Sequence, residues 1–154
     1  MYDSVNAWRG LIVHRFASAE AAISDTLLMM SQLPDNEAIR LEHLVGQRCQ
    51  QLAHALSPHG PFSLIGASTV GTLTAFRDEL GLRTLLCHGI ARITIDQRGR
   101  WVMILDLLSF QSGKAYREQR VIDEAEARAL QERISKLTQR LSSKLAEIRR
   151  KLEH

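Results

Sequence analysis

The hydrophobic period of this chain changes at Gly89, and that change limits the folds open to it. Before Gly89, apolar residues recur every three or four positions, as on the buried side of a helix. Apolar and polar residues then alternate through residues 90–122, as in strands, and the helical period returns from Asp123 onward. The pattern predicts a mainly α fold: four helices, with a three-stranded antiparallel meander between the third and the last.

The first three helices are bounded by loop and capping signals. The sequence predicts a helix over residues 4–31, a second over about 36–56 after Pro34, and a third from Ser68 or Thr69. Apolar residues of the first helix form one stripe. They are Val5, Trp8, Ile12, Phe16, Ala19, Ile23, Leu27 and Met30. The inner side of the second helix is expected to comprise Leu41, Leu44, Val45, Arg48, Cys49, Leu52 and Leu56.

The meander and the last helix complete the architecture. Strands are expected at residues 90–95, 101–110 and 115–122. Asp123 is expected to cap the last helix, with Glu126 in the capping-box position. The apolar stripe of that helix is narrow, so it fits either the fourth helix of a bundle or a dimer seam. We favour its N-terminal half packing inside and its C-terminal half, with Leu141, Leu145 and Ile148, helping dimerisation.

The junction at residues 81–89 contains the pair best suited to chemistry, Arg83 and His88. A guanidinium group fits phosphate oxygens, and an imidazole exchanges protons near neutral pH. Five residues place side chains about 140° apart on an ideal helix. We therefore expect the helix to unwind over residues 87–89, with Gly89 in the left-handed conformation, so that His88 approaches Arg83. The pair would then suit metal-independent cleavage of an RNA phosphodiester.

Other interpretations of the same residues remain open. Arg9 and His14 have the same spacing but lie in an unbroken helix, so we interpret them as surface residues. Arg83 and His88 also fit a structural role, in which His88 is a donor at the helix C-terminus. In a third interpretation Cys87 is a nucleophile beside His88.

Residues 83–89, Arg-Thr-Leu-Leu-Cys-His-Gly, resemble the Arg-polar-x-x-x-His motif of the HEPN superfamily, in which a following glycine is common. The order of the helices over about residues 5–150 is similar as well. The resemblance implies a dimeric, metal-independent RNase, with Arg83 binding phosphate and His88 acting as acid or base. Thr84 occupies the polar position, where Asn, Asp or His is commoner, and the strands at 91–122 are an insert in the four-helix unit. Some members of this superfamily bind or act as scaffolds without cleaving.

Further residues are candidates for binding RNA. Arg48, on or beside the inner side of the second helix, fits either an anion ligand or an arginine that extends to the rim. Tyr116 fits either a base-stacking or a packed residue. Basic residues along the meander form either a wall that guides RNA or ordinary exposed strand positions. They are Arg92, Arg98, Arg100, Lys114, Arg117 and Arg120.

Composition limits the remaining classes. The net charge of +3 permits an anionic partner without requiring one, and the two cysteines favour a reducing cytoplasm. We expect a homodimer, with RNA, an antitoxin or another protein as partner, and a toxin or defence role. The histidines have no metal-ligand spacing, and no membrane span, metal or cofactor is expected. The sequence predicts one domain over residues 1–151, while residues 152–154 resemble an expression-tag remnant.

Overall fold

The computed structural model describes residues 1–34 and 39–153, and it is mainly helical with a three-stranded antiparallel sheet. Helix α1 spans Tyr2–Ser31, α2 Val45–Leu56, α3 Ser63–Gly66, α4 Val70–Asp78, α5 Leu80–His88 and α6 Glu124–Leu152. Strand β1 spans Ile90–Ile95, β2 Trp101–Gln111 and β3 Lys114–Asp123. In the part of the chain that is described, no helix has both the length and the apolarity needed to cross a bilayer.

The residues form two compact units. One comprises residues 1–14 and 81–135, and the other comprises residues 15–80 and 136 to the C-terminus. The first unit contains α5, the sheet and the beginnings of α1 and α6. The second contains α2, α3, α4 and the remainders of α1 and α6.

The sheet of the first unit has the strand order β1-β2-β3, and the predicted meander is confirmed. Ile90 pairs with Asp106 and Ile95 with Trp101, while Leu108 pairs with Arg117 across the second hairpin. That hairpin turns through Ser112 and Gly113, which both have positive φ angles of 50° and 74°. Two consecutive positive φ angles match the right-handed twist of the flanking strands.

The inner face of the sheet supplies part of the core of the first unit. Met103, Leu105 and Ile122 are fully buried there. The indole Nε1 of Trp8 donates a hydrogen bond of 2.9 Å to the carbonyl oxygen of Ala127, and the ring lies 6.1 Å from that of Trp101. This buried donor is therefore paired, as a Trp in a core requires.

The core of the second unit is built by side chains of α1, α2, α4 and α6. Phe16 packs against Phe76 with ring centroids 5.8 Å apart. Arg149 donates hydrogen bonds to the carbonyl oxygen of Ala22 at 3.1 Å and to Oγ1 of Thr26 at 2.9 Å. All eight predicted stripe residues of α1 are buried, across both units, so the first helix and its inner side are confirmed.

The second helix begins later than the period predicts. Residues 39–44 are not helical and α2 starts at Val45, while Asp35 and Asn36, where the connection and the helix start were expected, lie outside the described residues. Leu41 and Leu44 were expected to face inward, and both are exposed. A short turn of helix without packing is marginal in water, so the helix begins only where Cys49 and Leu52 can be buried.

The third helical pattern is divided rather than continuous. The short helix α3 and a 3-10 turn over Ala67–Thr69 precede α4, and the Thr69 side chain makes no capping hydrogen bond. The break before α5 lies at Glu79, whose N–H bonds to the Phe76 carbonyl oxygen at 3.1 Å. The break between α4 and α5 therefore lies two residues before Gly81.

The start of α6 agrees with the sequence, but its predicted dimer seam does not. The backbone N–H of Glu126 donates a hydrogen bond of 2.8 Å to Asp123 Oδ1, which confirms the cap. Leu141, Leu145 and Ile148 are buried within the chain itself. These side chains are already packed and cannot provide a free seam, so that expectation is wrong.

Candidate functional site

His88 is the last residue of α5 and its side chain is exposed, whereas Arg83, in the same helix, is half-buried. The helix runs without a break through His88, and Gly89 does not have a positive φ angle. The expected unwinding and the left-handed Gly89 are therefore both wrong. On an unbroken helix the side chains of Arg83 and His88 project about 140° apart around the helix axis, so α5 does not place them side by side. Thr84, one turn before His88, lies on the same side of the helix as His88.

The end of α5 is held by hydrogen bonds that leave no room for a larger residue at Gly89. Its N–H donates to the carbonyl oxygen of Leu85 at 2.8 Å. A Cβ at this position would lie only 2.5 Å from the same oxygen. The glycine is thus favoured by its close approach to the Leu85 carbonyl group one turn earlier, which explains a Gly after His88 without a left-handed conformation.

Arg9 of α1 also closes this helix end. Its Nε donates a hydrogen bond of 2.6 Å to the carbonyl oxygen of Leu86, and its Nη2 donates one of 3.0 Å to that of Gly89. The side chain is half-buried, so the interpretation of Arg9 as a surface residue is wrong. A cation at a helix C-terminus offsets the partial negative charge of the last carbonyl groups. Arg9 therefore has the capping role that one interpretation gave to His88.

An open depression of about 530 Å³ surrounds the exposed His88. Its walls come from the end of α5 and from all three strands. The lining residues are His88, Ile90, Arg92, Asp106, Leu107, Leu108 and Arg117. Strand register explains the grouping, because Ile90 pairs with Asp106 and Leu108 with Arg117. Side chains of paired residues project from the same face of a sheet.

Positive charge exceeds negative charge in this depression. Arg117 Nη1 lies 3.3 Å from Asp106 Oδ2, and both side chains keep contact with solvent. Arg92 is exposed, and it forms no hydrogen bond or ion pair with another described residue. Two guanidinium groups and one carboxylate therefore lie beside a titratable imidazole. This combination can bind an anion and exchange a proton with it.

The other predicted binding residues lie elsewhere. Tyr116 is next to Arg117 in β3, and successive residues of a strand point to opposite faces. It therefore lies on the face opposite Arg92 and Arg117. Of the predicted basic wall, Arg100 pairs with Asp96 at 2.8 Å in the first turn, and Arg120 pairs with Glu126 at 2.8 Å.

Arg48 belongs to the second unit. Its Nη1 donates a hydrogen bond to Oγ of Ser24, and its buried Nε has no partner among the described residues. Next to it, the pKa of the buried Cys49 thiol is raised to about 11, first by desolvation and then by the Glu20 carboxylate. The side chain of Arg48 borders a pocket with Asp25 and Glu42. These carboxylates make the pocket a poor site for phosphate.

Residues 1–34 and 39–153 bring together no group of three or more His, Cys, Asp or Glu side chains able to hold a metal ion. Comparison of the chain with family models, curated proteins and solved structures gives no match.

Proposed function

We propose that this protein is a metal-independent endoribonuclease of HEPN type, with His88 as general acid or base. The observation that carries the proposal is the exposed His88 in a depression shared with Arg92 and Arg117. The alternative role of His88 as a helix cap loses support, since Arg9 provides the cap. The proposal includes a four-helix arrangement of that superfamily, built from α1, α2, the α4–α5 pair and α6.

The chemistry uses the RNA, these side chains and water. The 2′-hydroxyl of a ribose loses its proton and attacks the adjacent phosphorus, and the bond to the 5′-oxygen of the next nucleotide breaks. His88 accepts the first proton or donates one to the leaving oxygen, and water exchanges the other. The products are a 2′,3′-cyclic phosphate and a 5′-hydroxyl end. Guanidinium groups stabilise the charge that develops on the phosphoryl oxygens.

Arg92 and Arg117 are the guanidinium groups that share the depression with His88, and we propose that they bind the phosphate. The resemblance to the HEPN motif assigns phosphate binding to Arg83. An unbroken α5, however, directs the Arg83 side chain away from His88 of the same chain. In the expected homodimer, we propose that Arg83 of a second copy completes the site. An antitoxin or another protein that covers this depression would inhibit the enzyme, in keeping with a toxin or defence role in the cytoplasm.

A second function is favoured by the separation of Arg83 and His88 around α5. If that motif is never assembled, the protein is a non-catalytic, dimeric HEPN-like module that binds RNA, a nucleotide or a protein partner. The two functions differ in one respect: only the first makes bond cleavage depend on His88.

Cleavage of end-labelled RNA of mixed sequence in excess EDTA tests the proposal. We expect wild type to cleave, and His88→Ala to lose about 10²-fold or more of the rate. His59→Ala, which changes an exposed loop histidine, is the matched control and should cleave like wild type. Equal cleavage by folded His88→Ala, or none by folded wild type over a broad set of RNAs, would favour the binding module.

A further inference from the structure

The outer face of the sheet exposes apolar side chains that a monomer normally buries. Ile90 is 74% exposed, Phe110 75%, Val121 54% and Leu108 48%. These four residues belong to one face, because Ile90 pairs with Asp106, Leu108 with Arg117, and Ile104 with Val121. Exposed apolar side chains gathered on one face of a sheet often mark a binding site.

The charges on this face limit what can cover it. Arg92 and Arg117 lie among the apolar residues, and among the described residues Asp106 is the carboxylate that lines the depression with them. A second copy packed face to face would bring four guanidinium groups against two carboxylates in a desolvated interface, which is unfavourable. A flexible polyanion with planar, apolar bases satisfies both features, because its phosphates pair with arginines while its bases cover the apolar surface.

The position of Phe110 relates the apolar surface to His88. Strand β1 pairs with β2 only up to Asp106, so the hairpin of β2 and β3 extends beyond it. Leu108 lines the His88 depression, and Phe110 lies two residues further along β2, about 7 Å away. An exposed aromatic ring at this distance can stack on a base whose neighbouring phosphate lies in the depression.

We propose that the outer sheet face binds single-stranded RNA, with a base stacked on Phe110 and phosphates on Arg117 and Arg92. Unpaired bases are required, because in a duplex the ring faces are covered by neighbouring bases. The surface leads an RNA strand toward His88, and in this respect the inference rests on the proposed nuclease function. It names the substrate class of that site and adds Phe110 as a substrate-binding residue.

Binding of a labelled, single-stranded 2′-O-methyl RNA, followed by fluorescence anisotropy, tests the inference, since this RNA cannot be cleaved through its 2′-oxygen. We expect Phe110→Ala to weaken binding about 10-fold or more and Phe110→Trp to restore it. Tyr116→Ala is the matched control, since Tyr116 is a half-exposed aromatic residue of the same hairpin on the opposite face. Arg92→Ala should weaken binding to all sequences alike. It should also reduce the slope of log affinity against log salt concentration by about 1, which corresponds to the loss of one phosphate contact.

Equal affinity of wild type and Phe110→Ala, an equal loss in Tyr116→Ala, or equal affinity for duplex RNA would overturn the inference. So would a wild-type dimer that Phe110→Ala dissociates while RNA binding is unchanged, because a second copy then covers the face. If RNA binding depends on Phe110 but no RNA is cleaved, the nuclease proposal is contradicted and the proposed RNA-binding surface is supported. If cleavage depends on His88 while Phe110→Ala changes neither cleavage nor RNA binding, the nuclease proposal is supported and the RNA-binding surface is contradicted.

Discussion

The guanidinium group of Arg9 in α1 donates a hydrogen bond of 2.6 Å to the carbonyl oxygen of Leu86 in α5. A second bond, to the carbonyl oxygen of Gly89, lies on the other side of His88 in the chain. The residue proposed for catalysis is therefore held between two backbone groups that one arginine binds. The side chain of His88 itself is exposed.

Arg9→Ala should lower the free energy of unfolding by about 2–4 kcal/mol, because two half-buried carbonyl groups lose a charged donor. Arg15→Ala changes an exposed arginine of the same helix and should cost less than about 0.5 kcal/mol. Urea unfolding of both variants measures the difference. Equal, small effects of the two substitutions would contradict the capping role of Arg9.

Gly89→Ala should destabilise the protein by about 1–3 kcal/mol, because its methyl group would lie 2.5 Å from the Leu85 carbonyl oxygen. Gly81→Ala, in the first turn of α5, meets no atom within 4 Å and should instead stabilise the protein by about 0.5–1 kcal/mol. Thermal unfolding of the two variants should therefore shift in opposite directions. A neutral Gly89→Ala would mean that the backbone at this position is not in close contact.

Leu145→Ala should lower the free energy of unfolding by about 2–5 kcal/mol, because Leu145 is fully buried within the chain. Leu64→Ala, at a fully exposed leucine, is the control and should have little effect. Sedimentation of both variants should match that of wild type under conditions in which they remain folded. A dimer that dissociates in Leu145→Ala without loss of stability would restore the seam that the sequence predicted in α6.

Cys49 should resist alkylation at pH 8 in the folded protein, whereas the half-buried Cys87 should react. Burial raises the pKa of the Cys49 thiol from 9.0 to about 11, so the reactive thiolate is scarce. The folded protein binds this proton more tightly than the unfolded chain. The resulting stability is complete below pH 9 and is lost as pH rises toward 11.

Mass spectrometry after iodoacetamide treatment assigns the labelled cysteine. Unfolding of wild type and Cys49→Ala across the same pH range isolates the contribution of this thiol, which should be absent from the variant. Labelling of Cys49 as fast as Cys87 in folded protein would contradict its burial.

The spacing of hydrophobic residues was sufficient to predict the helices and strands that pack along one face. It predicted α1, the three strands and the cap at Asp123, since each presents a regular stripe or a local signal. The same spacing wrongly predicted that α2 includes Leu41 and Leu44. An apolar residue at helical spacing gives the same sequence signal whether or not another side chain packs on it.

The site was only partly predictable for the same reason. His88 was predicted from a local motif and Arg92 from the basic residues along the meander, and both line the depression. The role of Arg9 depends on residues nearly eighty positions away, and no local pattern encodes that contact. Phe110 ends the second predicted strand, and only the strand register places it on the exposed face with Leu108.

His88 is proposed to move a proton when the RNA's own 2′-hydroxyl group attacks the phosphorus, and a pair of substrates tests this role. One is RNA, and the other has the same sequence with deoxyribose throughout; each is incubated in excess EDTA with wild type and with His88→Ala. We predict cleavage of the RNA by wild type alone, with 2′,3′-cyclic phosphate ends, and no cleavage of the deoxyribose strand. Cleavage of both strands by wild type, or of the RNA by folded His88→Ala at the wild-type rate, would contradict the account.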